Sequence, residues 1–136
     1  LAERAPADWQ LVQTYVGRVS EFRHSGMDVQ AMPPTFLLSP HAAFYSETWC
    51  ASDIVHDANH SKLYFDYART HPGKVPRDIY IGARAESICL AAQLATMQRI
   101  GAPRSEIRYL QSVKPTFSDR NHDGKVDWQD HVSGEW

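Results

Sequence analysis

The sequence lacks long apolar runs and an excess of basic residues. None of its apolar stretches approaches the roughly 20 residues that a membrane-spanning helix requires. The chain carries 14 Lys and Arg residues against 16 Asp and Glu residues, for a formal net charge of −2, so little positive charge is available to neutralise a phosphate backbone. We therefore expect neither a membrane nor a nucleic acid as a partner.

Cysteine is scarce as well, since Cys50 and Cys89 are the whole thiol inventory. Two sulfurs cannot build a four-thiolate zinc site, but they allow either one disulfide bridge or two buried free thiols. Together with four Trp residues and a calcium-type loop near the C-terminus, the cysteines favour a disulfide-containing protein that is secreted or otherwise extracytoplasmic.

The apolar content is nevertheless sufficient for one core. The 136 residues, 43% of them hydrophobic, are too few for two ordinary domains. We expect a single domain over residues 1–136, made of a body (1–113) and a C-terminal segment (117–136) that holds the calcium-type loop and a short helix.

The pattern of apolar and turn-forming residues predicts an α+β fold. Apolar spacing from Trp9 to Arg23 fits a helix, but Gly17 and the β-branched residues leave a strand open. Gly101, followed by Pro103, is a helix stop signal. Strands are predicted at 35–39 and 42–45, an extended piece at 79–81, and helices at 47–69 and 83–100. We expect a small antiparallel sheet packed on two antiparallel helices.

The first of these helices contains a candidate metal-binding motif, Asp53-Ile-Val-His56-Asp57-Ala-Asn-His60. His56 and His60 are four residues apart, so both rings lie on one helix face and can bind one metal ion. Two solvent-facing histidines are the alternative. Asp53 and Asp57 lie on an adjoining stripe, where one of them could orient a histidine ring through its second nitrogen. For Asp53 a solvated surface charge is equally compatible with the pattern.

A third protein ligand is expected from the second helix. Glu86 lies 26 residues after His60, in the first turn of that helix, where it either binds the metal or only interacts favourably with the helix dipole. A disulfide between Cys50 and Cys89 across antiparallel helices would be compatible with this ligand. His56 would lie roughly 9 Å from the bridge along the first helix, and Glu86 would lie roughly 4.5 Å from it in the same direction along the second.

These residues resemble those of small zincin-type metallopeptidases. The resemblance lies in the run from Ser52 to Tyr64 and in the helix that begins at Glu86 and ends in Arg99-Ile100-Gly101-Ala102-Pro103, and it covers mainly residues 35–103. Such proteins have a His-Glu-x-x-His helix followed by a helix with a Glu. The resemblance implies a zincin-like fold and three zinc ligands, His56, His60 and Glu86.

The resemblance also implies a catalytic acid/base role for Asp57, where the family has Glu. In that motif the acidic residue is not a ligand but takes a proton from the attacking water. Aspartate is one methylene shorter, and a general base must come within about 2.6–3.2 Å of the proton that it takes. The sequence is therefore compatible with normal catalytic activity, with altered activity and with an inactive site. The leading hypothesis is a zinc-dependent hydrolase of peptide or amide bonds with a peptide or protein substrate.

Two other functions compete for the same residues. His56-Asp57 is also the central pair of HD-type phosphohydrolases, which need an earlier His and a later Asp; the candidates here are His24 or His41 and Asp66 or Asp78. That family is mainly a larger helical bundle, whereas this chain has predicted strands before the motif. A non-catalytic, secreted calcium-binding protein with a structural or binding role is the remaining alternative.

The most specific motif is the 12-residue loop from Asp119 to Asp130, which matches the calcium loop of EF-hands with Gly124 at the sharp turn. Aspartate in place of glutamate at the last position is closer to dockerin-type loops. One such loop does not make a paired sensor, so we expect calcium to fold the C-terminal segment onto the body. The expected calcium ligands are Asp119, Asn121, Asp123, Asp127 and Asp130 through side-chain oxygens, directly or by way of water, and Lys125 through its backbone carbonyl.

Calcium binding by the full chain is a first testable prediction. Asp123→Asn is expected to weaken it on the order of tenfold, because the number of charged ligands sets the affinity of such loops. Isothermal titration calorimetry measures the affinity, with Asp78→Asn as a control for charge lost outside the loop. Equal affinities for the wild type and Asp123→Asn would contradict the assignment.

Overall fold

The structure is a computed structural model that describes residues 1–116. The predicted calcium loop, Asp119–Asp130, lies outside the described residues. The described part is an α+β fold with one three-stranded sheet, which confirms the predicted class. Its elements are α1 (Pro6–Tyr15), β1 (Arg18–Glu21), β2 (Gly26–Asp28), β3 (Thr35–Leu38), α2 (Pro40–Tyr45), α3 (Glu47–Thr70), α4 (Arg77–Tyr80), α5 (Ala83–Ile100) and α6 (Arg104–Ser112).

The two long helices, α3 and α5, match the predicted helices. α3 begins where the Ser46 side chain accepts a hydrogen bond from the Trp49 backbone N–H at 2.9 Å. α5 ends at Gly101, whose left-handed φ of 76° lets the chain turn, and the Ala102 N–H then donates to the Met97 carbonyl at 2.9 Å. Along residues 1–116, neither these helices nor any other is both long and apolar enough to cross a bilayer.

α3 and α5 pack against each other in an antiparallel arrangement, as predicted. Near the start of α3, the Ser52 hydroxyl accepts a hydrogen bond from the Gln93 side chain at 3.5 Å. Glu86, near the start of α5, instead contacts His56 and His60 further along α3. All five side chains are buried, so a polar seam runs between the two helices.

α1 packs on α3 and is also tied to the end of α5. Val12 of α1 packs on Val55 and Ala58 of α3 in an apolar cluster. The Asp8 carboxylate accepts hydrogen bonds from the Arg99 guanidinium at 2.8 to 3.0 Å. α1 therefore contacts both of the long helices and helps to hold them together.

The sheet is mixed, so the predicted antiparallel sheet is wrong in one of its pairings. The strand order is β1-β3-β2, with β3 parallel to β1 and antiparallel to β2. The chain reverses between β1 and β2 without pairing them, and β3 then occupies the space between them. It must therefore run parallel to one neighbour. Phe36 of β3 is 1% exposed and anchors the sheet in the core.

Two segments predicted to be extended are helical. Residues 42–45 lie in α2, because Pro40 starts the helix and the Ser39 hydroxyl accepts a hydrogen bond from the Ala42 N–H at 3.1 Å. Residues 79–81 complete the single turn of α4 and its cap. The ambiguous stretch from Trp9 to Arg23 contains both alternatives, the end of α1 followed by β1.

The predicted disulfide is wrong, since Cys50 and Cys89 are free thiols. With Ser52 opposite Gln93 in antiparallel helices, Cys50 lies opposite a position near 95, roughly six residues or 9 Å along the axis from Cys89. A disulfide requires Cα atoms about 4.4–6.8 Å apart. The two cysteines are therefore out of register for a bridge.

The cap of α5 provides a stability prediction. Gly101→Ala is expected to lower the free energy of unfolding by about 1 kcal/mol, because a side chain is strained in the left-handed conformation. Steric overlap is not the cause, since the nearest atom to the new Cβ, Arg4 Nη1, is 3.7 Å away. Urea denaturation measures the change. Gly26→Ala is the matched control, because a Cβ there meets nothing within 4 Å. An equal loss in both variants would contradict the explanation.

Candidate metal centre

Three side chains from α3 and α5 converge at one point inside the protein. His56 and His60 lie one turn apart on α3, with their Nε2 atoms 3.1 Å apart. Glu86 places its Oε2 atom 3.3 Å from His56 Nε2 and its Oε1 atom 3.6 Å from His60 Nε2. The structure thus brings together the three residues that the sequence nominated as zinc ligands.

The donor atoms lie close enough together to share one metal ion. Two donors that each lie 2.0–2.1 Å from zinc at the tetrahedral angle are about 3.4 Å apart. The two ring nitrogens are 3.1 Å apart, and Glu86 approaches them through different oxygens, His56 at 3.3 Å through Oε2 and His60 at 3.6 Å through Oε1. Two imidazole nitrogens and a carboxylate are also a donor set that zinc takes in catalytic sites. The residues present therefore fit the ion.

Cys89 belongs to the same cluster, and the sequence analysis missed it. Its sulfur and one ring nitrogen from each of His56 and His60 lie within 4.8 Å of one another. This buried His-His-Cys group could hold a metal ion. The signal that could have identified Cys89 is its position one turn after Glu86 on the same helix. A sulfur bonded to Cys50 could not have served as a metal ligand.

A backbone carbonyl orients the His60 ring. His60 Nδ1 lies 2.7 Å from the carbonyl oxygen of Tyr80, and a carbonyl only accepts, so Nδ1 carries the proton and donates it. The other ring nitrogen, Nε2, then faces His56 and Glu86. Metal-binding histidines usually have an acceptor of this kind behind them, because it sets both the tautomer and the direction of the ring.

The environment of His56 is different. Its Nδ1 atom is buried and has no hydrogen-bond partner among the described residues, and the same holds for Oδ2 of Asp53, one turn earlier on α3. Burial raises the pKa of Asp53, although the nearby His56 and Ser25 favour its charged form. His56 Nδ1, which can donate a hydrogen bond, and Asp53 Oδ2, which can accept one, thus lie within one turn of α3, and both lack partners.

Opposite charges balance within the cluster. Burial alone would raise the pKa of Glu86, but its contacts with His56 and His60 lower it to about 2. Burial alone would lower the pKa of His60, but contacts with Cys89 and Glu86 raise it well above its ordinary value. In the metal-free protein, a protonated His60 therefore faces an ionised Glu86, and a metal ion would replace that proton.

Asp57 is buried beside the cluster and lines the same cavity. Burial raises the pKa of Asp57 to about 7, although His56 favours its charged form. Both protonation states of the carboxyl group are therefore populated near neutral pH. This property is compatible with the acid/base role that the zincin resemblance implies.

The cluster lies on the wall of a cavity of about 950 Å³. Strand β2 and helices α3, α5 and α6 contribute to the lining, which includes the apolar side chains of Leu90 and Tyr109. Ligand-binding pockets commonly have volumes of about 300–1,000 Å³. A small molecule or a peptide segment could therefore reach a metal ion held by the cluster.

The residues nominated for a phosphohydrolase site are more dispersed. His24 lines the cavity, but His41 is exposed on α2. The Asp66 carboxylate forms an ion pair with Arg69 at 2.6 Å, and Asp78 is exposed on α4. Of these four described residues, His24 alone lines the cavity beside His56 and Asp57.

Metal analysis tests the cluster directly. We expect about one zinc ion per chain after dialysis against zinc and calcium, and we expect His60→Ala to lower the zinc affinity by more than the roughly 10–100-fold that loss of a ligand's hydrogen-bond partner costs. His71→Ala, which removes an exposed histidine at the end of α3, is the matched control. Equal zinc content in wild type and His60→Ala would exclude this cluster as the binding site.

Comparison with known proteins places the chain in no family. No family model, no curated protein and no solved structure matches it. Function has to be inferred from the geometry of the cluster and from the motif that the sequence carries.

Proposed function

We propose that this protein is a zinc-dependent hydrolase of peptide or amide bonds, with His56, His60 and Glu86 as the zinc ligands. The observation that carries the proposal is the convergence of two ring nitrogens and the Glu86 carboxylate, with separations of 3.1 to 3.6 Å that are close to the roughly 3.4 Å between ligands of tetrahedral zinc. The adjoining cavity supports it, because a substrate needs a route to the metal.

The donor chemistry favours zinc over calcium or magnesium at this site. Calcium takes six to eight oxygen ligands, and magnesium also prefers oxygen and keeps several waters. The cluster offers two imidazole nitrogens, one carboxylate and a sulfur nearby. Nitrogen, sulfur and carboxylate oxygen are the ligands that zinc takes in proteins, usually with four in total.

Each residue would have a separate part in the reaction. A bound zinc ion supplies Lewis acidity, which polarises the substrate carbonyl and makes the attacking water more acidic. His56, His60 and Glu86 would hold the cation, and the Glu86 carboxylate would balance part of its charge. Asp57 would accept a proton from the attacking water and pass it to the leaving amine. The cavity would bind the peptide on either side of the bond that is cleaved.

Cys89 supports a second candidate function, a non-catalytic protein stabilised by zinc. If its sulfur joined the other three donors, zinc would have four protein ligands and no open position, as in structural sites. Substitution of cobalt for zinc distinguishes the two functions. A sulfur-to-cobalt charge-transfer band that disappears in Cys89→Ser would support the closed site, and its absence in the wild type would support the open one.

The calcium loop and an extracytoplasmic location are parts of the proposal that rest on the sequence alone. A calcium ion bound at 119–130 would stabilise the C-terminal segment rather than take part in the reaction. This arrangement would separate the two metals by role, with zinc for hydrolysis and calcium for stability.

Hydrolysis of quenched fluorescent casein and of a quenched fluorescent peptide library by the zinc-loaded protein tests the reaction. We expect Asp57→Asn to lower the rate by about 10²–10⁴-fold, because an amide cannot take up the proton of the attacking water. Asp57→Glu, which lengthens the arm, is expected to keep activity. Removal of zinc with a chelator should abolish activity in both the wild type and Asp57→Glu, and added zinc should restore it.

Asp78→Asn is the matched control, since it removes a carboxylate that is exposed on α4. Zinc content is measured on every variant, so that lost metal is not mistaken for lost catalysis. A wild-type rate that survives both the chelator and Asp57→Asn would contradict the proposed function.

A further inference from the structure

A carboxylate next to His56 has no part in the proposed hydrolysis. Asp53 Oδ2 and His56 Nδ1 are both buried, and neither has a hydrogen-bond partner among the described residues. A buried polar atom without a partner destabilises the folded state, and the cost is larger when the group is charged. Two such atoms on one turn of one helix therefore require an explanation.

The two groups do not form a hydrogen bond in this structure, but their spacing on α3 would let each satisfy the other after a change of side-chain rotamer. Asp53 precedes His56 by three residues on α3, a spacing that puts side chains on the same face with Cβ atoms about 5–6 Å apart. When Nε2 of His56 is used for a metal, Nδ1 carries the ring proton and becomes a donor, and a carboxylate oxygen is an acceptor. The Asp53 carboxylate also interacts electrostatically with His56.

Ser25 lies near Asp53 as well. This residue is in the connection between β1 and β2, and its hydroxyl donates a hydrogen bond to the Ser39 hydroxyl at 3.3 Å. Its proximity favours the charged form of Asp53 and so partly offsets the rise in the pKa that burial causes. The loop before β2 therefore contributes to the surroundings of Asp53.

We propose that Asp53 is a positioning residue, whose carboxylate accepts a hydrogen bond from His56 Nδ1 and so directs His56 Nε2 toward the metal. The inference rests on the proposed function, because it assigns His56 a metal to face. It gives His56 the kind of support that the Tyr80 carbonyl gives His60 at 2.7 Å. It also separates the two aspartates of the motif, since Asp57 acts on the substrate and Asp53 acts through a ligand.

Zinc affinity and histidine NMR of the full chain test this role. We expect Asp53→Ala to weaken zinc binding by about 10–100-fold, measured by competition with a chromophoric chelator. Asp53→Asn keeps the size and one acceptor oxygen and is expected to lose less. Asp78→Asn, which removes an exposed carboxylate, should bind zinc like the wild type.

The ¹⁵N signals of His56 provide a readout that a purely structural role of Asp53 would not change. In the wild type we expect a protonated, hydrogen-bonded Nδ1, and in Asp53→Ala we expect that signal to shift or to be lost by exchange with water. Unchanged His56 signals would overturn the inference whether or not the affinity falls, and so would unchanged zinc affinity in Asp53→Ala. If Asp53→Ala does not fold, the same comparison is made with Asp53→Leu, which also removes both acceptor oxygens but keeps the volume of the side chain.

Failure of the proposed function can be told apart from failure of this inference. If the wild type binds no zinc, the proposed function is wrong. If the wild type binds zinc and Asp53→Ala binds it with equal affinity, only the inference about Asp53 is wrong.

Discussion

Ionisable groups that are buried between α3 and α5 constrain the rest of this structure. His56, His60 and Glu86 have lost most of their contact with water, so each needs compensation from a neighbour. Despite burial, mutual contacts hold the pKa of Glu86 at about 2 and that of His60 well above its ordinary value. A divalent cation at the same point would take over this compensation and release a proton. The cluster can therefore form without a metal and still suit one.

These residues can compensate one another only if α3 and α5 keep their register. Contacts with α1 and α6 stabilise that register. The ion pair of Asp8 with Arg99 joins α1 to the far end of α5. The Thr48 hydroxyl donates to the buried Glu106 carboxylate at 2.7 Å, which ties the start of α3 to α6. These contacts lie away from the candidate ligands, so the protein separates the stability of the helix pair from the chemistry of the cluster.

Features that depend on neighbouring residues could be predicted from the sequence, and those that depend on packing could not. Ser46 and Gly101 act within a few residues, so the ends of α3 and α5 were predicted to within one residue. The shared face of His56 and His60 follows from helix periodicity alone. Glu86 required the resemblance to zincins, because its contact with α3 crosses between helices. The place of Cys89 depends on the register of two helices, which periodicity does not specify, and the parallel pairing of β1 with β3 depends on how distant segments meet.

His56 and His60 differ in the atom that their Nδ1 nitrogens face. His60 is held by the main-chain oxygen of Tyr80, which every amino acid at that position would supply. Single-codon changes at position 80 that preserve the short turn therefore leave the tautomer of His60 intact. The aromatic ring of Tyr80 and its backbone oxygen thus have separate roles, the ring in the core cluster with Val29 and Val75 and the oxygen in setting the tautomer of His60.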